Sequence, residues 1–342
     1  MLIANHLVRK CRPVQAVICV AVLLSASQAW AAEDLPGDAD SIWTVRVEND
    51  AISTAKHGSD QNYTAGQQLG WTSGVNAVPG FAADLAQALW GEGTTRVSLE
   101  GTQQLFTPVN KTLRTPDPTD RPYAGYLALT ASLLHDTAST RDALSLSLGV
   151  IGPLAQGAEA QNGVHGLIRD AKAMGWAHQL PNEAAVEVLD QRTWRLPIGE
   201  VIGIEADILP AVALGVGTVR DYAQVASVVR IGRGLDRDFG ASRIRPGISG
   251  GDAFQDSDEV AVYGFAGLGG QAVARDAFLD GDLFTRSAHV RRNVWVGEME
   301  AGLAMIWRGV KFSYVQTWQT AEFRHQSPSL FSFGSLAMSV RF

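Results

Sequence analysis

The last dozen residues, Phe331 to Phe342, constrain the fold more than any other stretch of this chain. Reading back from Phe342, every second position is apolar (Val340, Met338, Leu336), and the positions between are Arg341, Ser339, Ala337 and Ser335. A period of two is a β-strand with one greasy face and one polar or small face. The same alternation recurs in Leu144-Ser-Leu-Ser-Leu148 and in Ile42-Trp-Thr-Val-Arg-Val47. Beyond the N-terminal region no run of 18 apolar residues exists, so a spanning helix is not expected. Lipid satisfies no backbone polar groups, and a membrane protein built from such strands has to be a closed barrel.

A terminal strand ending in an aromatic resembles the C-terminal strand of bacterial outer-membrane β-barrels. Phe342 is then expected to form part of the signal that the barrel assembly machinery uses during insertion. The other end agrees. Arg9, Lys10 and Arg12 precede an apolar run from Val14 to Leu24, followed by Ala29-Trp-Ala31. A basic start, a short apolar core and an A-x-A site make a secretory signal peptide. Residues 1–31 are read as that signal and residues 32–342 as a single barrel domain. Both cysteines, Cys11 and Cys19, lie in the signal, so the mature chain is expected to have no disulfide and no thiolate metal site. Losing Arg9, Lys10 and Arg12 takes the net charge from −7 to −10. That balance argues against nucleic acid, which needs a basic stripe, and suits divalent cations.

Strand-like runs fall at 41–50, 62–73, 94–106, 122–135, 142–151, 183–194, 198–210, 216–231, 259–272, 292–307, 309–323 and 331–342. The expected fold is therefore all-β, a closed antiparallel transmembrane barrel of about twelve strands. An even number returns both ends of the sheet to the periplasmic side. Trp43, Trp71, Trp194, Trp295, Trp307 and Trp318 sit in or at the ends of these runs, as in aromatic girdles. Residues 75–92 contain helical spacing from Phe81 to Trp90, and Val164 to Ala173 is also helix-like. Loops 51–61, 107–121, 152–182, 211–215, 273–291 and 324–330 are expected outside. Residues 232–258 form an unusually long inside turn.

The polar motifs cluster at the outside end. Glu48-Asn49-Asp50 closes the first strand. Asp60-Gln-Asn-Tyr63-Thr64-Ala-Gly66 opens the second, and Arg121-Pro-Tyr-Ala-Gly125 opens the fourth. Gly149-Val-Ile-Gly-Pro153 leads into a loop carrying Glu159-Ala-Gln161-Asn162-Gly-Val-His165 and Gly175-Trp176-Ala-His-Gln179. This constellation, from Glu48 to Gln179, resembles the outer-membrane lipid A deacylase family of the LpxR type. The C-terminal half resembles that family only in its barrel pattern.

The resemblance implies calcium-dependent hydrolysis of an ester, releasing the 3′-linked acyloxyacyl group of lipid A in the outer leaflet. It maps site residues onto Asn49, Asp50, Thr64 and His165. Lys111 is matched as a substrate contact, and Gln161 falls in the same motif as a second one. Six residues after the histidine, where some members carry Glu, this chain has Ala171. Either the adjacent Asp170 substitutes or the position is dispensable. The chemistry is coherent on its own terms. Ester hydrolysis needs a base for water and a stabiliser for the developing oxyanion. A histidine titrates in the range suited to the base. Asp50 offers a hard oxygen ligand for Ca²⁺, and Asn49 can add a carbonyl or hold the carboxylate. Thr64 can orient water or substrate, and Lys111 can meet a lipid A phosphate.

Other motifs carry less. Gly247-Ile-Ser249-Gly-Gly251 matches G-x-S-x-G, but that motif needs a strand–elbow–helix setting. Asp252, Asp256, Asp258 and Glu259 lack calcium-loop spacing and are read as a solvated acidic turn. The remaining histidines show no zinc pairing. A monomer is expected. The competing class is a non-enzymatic barrel, a pore or an inactive member of the family. A pore needs lumen-facing rings of charge rather than His, Asp and Asn gathered on one rim.

Overall fold

The computed structural model describes residues 41–54, 61–244, 251–256 and 258–342. Thirteen strands follow one another: β1 (Ile42–Asn49), β2 (Asn62–Thr72), β3 (Thr94–Thr107), β4 (Ala124–Asp136), β5 (Thr140–Ile151), β6 (Glu183–Trp194), β7 (Leu196–Val201), β8 (Ile204–Gly217), β9 (Arg220–Arg233), β10 (Ala261–Asp276), β11 (Trp295–Trp307), β12 (Val310–Thr320) and β13 (Leu330–Arg341). Neighbours pair antiparallel, β1 closes on β13, and β6 also pairs with β8. Twelve strands thus form a closed barrel, and β7 stands outside the ring as an extension alongside β8. The signal peptide lies outside the described residues.

The alternation translates directly into two faces. Along β1, Thr44, Arg46 and Glu48 are buried while Val45 and Val47 are exposed. Along β13, Leu336 and Met338 face outward while Ser335 and Ser339 face inward. Trp43 and Trp71 are cross-strand partners near one rim. Trp194 and Trp307 end their strands at that rim, whereas Trp295 begins β11 at the other. From Trp295 to Trp307 the strand rises about 40 Å, and tilt reduces that to the height of an apolar band with a girdle at each edge.

The twelve-strand count stands, and one pair of boundaries moves. The segment expected as loop 211–215 is strand, and the turn is at Thr218–Val219. The opposite turn falls at Ile202 (φ +54°) and Gly203 (φ +71°). Two positive-φ residues suit a tight hairpin, but an isoleucine in the first position hides it. The helix expected over Phe81–Trp90 is present as α1 (Gly80–Trp90). Its Ala82 and Ala86 pack on Leu133, while Phe81, Leu85 and Leu89 are exposed. The second helix, α2, spans Gly157–Ile168 rather than 164–173.

The long inside turn is the main correction. Its residues 235–244 and 251–254 fold into the lumen as a plug. Asp238 takes Lys311 of β12 at 2.7 Å, Arg230 of β9 at 2.5 Å and the Tyr263 hydroxyl of β10 at 2.6 Å. Asp252, expected in a solvated acidic turn, pairs with buried Arg46 of β1 and accepts from Ser242. Arg243 pairs with Glu298 and Glu300 of β11. The Ile244 amide donates to Glu48 at 2.9 Å. Phe254 packs with Ile42, Ala261 and Ile306, and Ala253 with Leu134 and Ala143. A charged lumen and a charged plug neutralise each other, as buried ions require.

A second closure lies toward the opposite mouth. Tyr63, Phe106, Tyr126, Phe278, Phe331 and Phe333 share one apolar cluster. Phe106 stacks on Phe278 at 4.2 Å, and Tyr63 meets Phe333 edge-on at 5.0 Å. Between the aromatic layer and the plug remains a cavity of about 90 Å³.

Candidate active site

With the free ends of β1 and β13 taken as periplasmic, the rim where β1 ends is the outer one. The triplet Glu48-Asn49-Asp50 divides its labour by position. Glu48 points into the lumen and accepts from the Tyr63 hydroxyl at 2.8 Å. Asn49 is extended, and its side chain caps the short turn Asp50–Ile52 by accepting from the Ala51 amide at 2.7 Å. Asp50, 8% exposed, accepts from the Gln61 amide at 2.8 Å and so closes the base of its loop.

Thr64 lies on the neighbouring strand at an irregularity. The β2–β3 register shifts between Tyr63 and Ala65. A bulge re-aims one side chain relative to the ladder. Thr64 is fully buried, and its hydroxyl is 2.7 Å from that of Thr107. Asn62, also fully buried, holds φ +59° just before it.

His165 is delivered by α2, which packs against the outer ends of β3 and β4. The approach is tight. Gly152 has φ +96°, and a Cβ there would lie 2.4 Å from the Pro181 carbonyl. Gly157 sits against the Trp176 ring, where a Cβ would come within 2.6 Å. Several motif residues are thus packing residues. Gln161 is buried, and its side-chain oxygen accepts from the Trp176 indole at 2.7 Å. Trp176 in turn meets Tyr123 at 5.0 Å.

The helix ends because Arg169 turns left-handed (φ +61°), and the Asp170 amide caps the His165 carbonyl. The chain then doubles back. Asn162 pins it by bonding the Ala173 amide at 2.8 Å and the Ala173 carbonyl at 3.1 Å. This brings the Ala171 carbonyl within 2.6 Å of His165 Nδ1. A carbonyl only accepts, so Nδ1 carries the proton and Nε2 of the neutral ring is the basic nitrogen. At position 171 it is the backbone carbonyl that meets the ring.

Asp170 links the remaining pieces. One oxygen lies 4.0 Å from His165 Nε2 and 2.7 Å from Lys111 Nζ. Hydrogen bonds from Lys111 and from the Ala171 amide hold this carboxyl below the usual range, against slight burial. The Lys111 carbonyl accepts from the Tyr123 hydroxyl at 3.1 Å and the Met174 amide at 2.8 Å, stitching the two loops together. Asn49 and Thr64 sit at the outer ends of adjacent strands, and Lys111, Asp170 and His165 form a row on the loops of the same rim. Thr107 and Asn162 were not singled out in the sequence. Asn162 falls inside a quoted motif, whereas nothing local marks Thr107. His57, Asp60 and Ser249 lie outside the described residues.

Among the described residues no group of three or more His, Cys, Asp or Glu is arranged to hold a metal. Asp50 itself offers one carboxylate, a hard oxygen ligand of the kind calcium takes, and a cation there would draw its other ligands from backbone carbonyls, water and substrate.

A closed barrel, plugged in its lumen and carrying a polar constellation on the loops of one mouth, defines an integral outer-membrane protein. The chain belongs to the LpxR outer membrane protein family, whose profile matches residues 17–342. Among solved structures, LpxR from Salmonella typhimurium superposes with a TM-score of 0.71 at 23% identity, covering 88% of this chain and 100% of that one. The β-domain of the Bordetella autotransporter Brka follows with a TM-score of 0.44 at 10% identity, covering 89% and 100%. No relative was found among curated protein sequences.

Proposed function

We propose that this chain is a calcium-dependent esterase that removes the 3′-linked acyloxyacyl group of lipid A from the outer leaflet. The observation that carries this reading is His165, buried on the outer rim with Nδ1 held by the Ala171 carbonyl. That bond selects the tautomer in which Nε2 takes a proton from water. Asp170 holds Lys111 beside the ring and steadies the imidazolium that forms. Lys111 offers a cation to an anionic group of the substrate. Asp50 would hold calcium, which when bound supplies Lewis-acid polarisation of an ester carbonyl. Asn49 keeps the Asp50 turn in shape, and Thr64, backed by Thr107, orients water or the substrate. Gln161 supports the helix through Trp176. Against a pore stand the plug and the aromatic layer, two closures in one lumen. Mass spectrometry of lipid A from cells with and without the chain tests the reading. Loss of the 3′-linked acyloxyacyl mass is expected only in cells that carry the chain. Identical lipid A in both would favour a non-enzymatic barrel or an inactive family member.

A further inference from the structure

On the outer rim, away from the His165 helix, two connections run side by side. The segment between β10 and β11 forms an isolated antiparallel bridge with the one between β12 and β13, Arg292 opposite Phe323. The Arg324 amide donates to the Arg291 carbonyl at 2.9 Å, and the Asn293 amide to the Glu322 carbonyl at 2.7 Å. That register sets Arg291 directly across from Arg324. Residues so opposed have Cβ atoms about 4.5–5.5 Å apart.

Alternation assigns the two faces. Phe323 is buried with Leu279 and Val290. Arg292 is committed to structure, bonding Asp280 at 2.7 Å and the Val273 carbonyl at 2.7 Å. Glu322, on the same face as Arg324, is not open to the pair, because it is buried and bends inward to Arg121 at 2.9 Å. Arg291 and Arg324 occupy the other face and are both exposed. Neither side chain has an acidic partner among the described residues, and like charges directly opposite are destabilising. They border an open cavity of about 320 Å³ lined by Asp280, Arg291, Arg292, Asn293, Val294 and Arg324. One carboxylate there faces three guanidiniums, in a chain whose net charge is −7. Exposed Val294 and Trp295 follow at once in sequence, at the outer edge of the lipid-facing band. The pair therefore stands at headgroup depth.

We infer that Arg291 and Arg324 bind a phosphate group carried by an outer-leaflet glycolipid. Two planar forks facing each other suit one tetrahedral anion, and bidentate guanidinium–phosphate bonds relieve the repulsion between them. The identity of the lipid rests on the lipid A reading above. The site itself rests on the bridge, the exposed pair and its depth, and it sits apart from the residues assigned to hydrolysis.

The test uses the intact refolded barrel in detergent with His165→Ala in the background, so that lipid is not consumed. Binding is measured to vesicles of phosphorylated lipid A and of chemically dephosphorylated lipid A. The Arg291→Ala/Arg324→Ala double variant, checked for heat-modifiable folding, should lose at least about tenfold in affinity for the phosphorylated lipid. It should no longer distinguish the two lipids. The Arg291→Lys/Arg324→Lys variant should recover only part of the preference, because an ammonium is a point charge. A double variant that keeps the full preference would overturn the assignment. Displacement of the vesicles by micromolar inorganic phosphate would also overturn it, assigning the pair to free phosphate instead. Binding is read without turnover, so failure of the hydrolase reading leaves this result interpretable.

Discussion

The plug and the outer rim use the same residue types for opposite ends. In the lumen, Asp238 is buried and meets Lys311, Arg230 and Tyr263 together. At the rim, Asp170 is exposed and meets Lys111 on one side and His165 on the other. Asp238, Asp252 and Arg243 of the plug each meet an opposite charge from a strand, and these pairs are buried. The rim groups stand in a row on loops and one helix, with Asp170 exposed, Lys111 partly buried and His165 buried behind them. Burial and the number of partners, rather than residue type, separate a charge that holds a fold together from one available for chemistry.

The strongest way to break this contrast is His165→Ala. It should lower the deacylation rate by about 10²–10⁴ while heat-modifiable migration of the barrel stays unchanged. Asp50→Ala and chelation of the parent protein should each match that loss, and chelator should add nothing to Asp50→Ala. A His165→Ala protein that still deacylates at the parental rate would remove the base from the mechanism.

Asp238→Ala should do the reverse. Taking one partner from a buried charge cluster strands Lys311 and Arg230 and costs about 3–5 kcal/mol, read as a lower urea midpoint in bilayers or detergent. The rate per folded molecule should be unaffected. A stability equal to the parent's would show that the plug is not held by these pairs.

Asp170→Asn should have a smaller effect, roughly tenfold in rate, about the contribution of a charged hydrogen bond. Its carboxyl is held below the usual range by Lys111. It is therefore ionised above that range and gains a proton only as the pH falls through its lowered value. Asp170 therefore stays charged between pH 5 and pH 8, and the variant should be slower throughout this window. A variant as fast as the parent there would remove Asp170 from the mechanism. The smallest expected effect is that of Ser249→Ala, which should leave the rate unchanged. Loss of activity in that variant alone would point to a serine nucleophile.

Much of this molecule was legible because its signals are local. Alternation in Ile42–Val47 or Leu144–Leu148 is a property of neighbours, and it marked the twelve barrel strands and both faces, though not β7 as a strand of its own. The missed turn at Ile202–Gly203 had no Asn-Gly signal, and alternation running on through Ala211–Gly215 concealed the error. At the rim, Asn49, Asp50, Thr64 and His165 could be singled out because each sits in a short motif. Thr107 could not, since its part depends on a bulge in the adjacent strand.

By itself the sequence determined the period of two, the even number of strands and the rim on which the polar motifs gather, because these follow from spacing along the chain. The plug, the pairing of Asp252 with Arg46, the opposition of Arg291 and Arg324, and the carbonyl at Ala171 that sets the His165 tautomer were decided only in three dimensions. Asp252 and Arg46 are 206 residues apart, and a buried charge's partner is chosen by where barrel closure places it. No pattern along the chain records that distance.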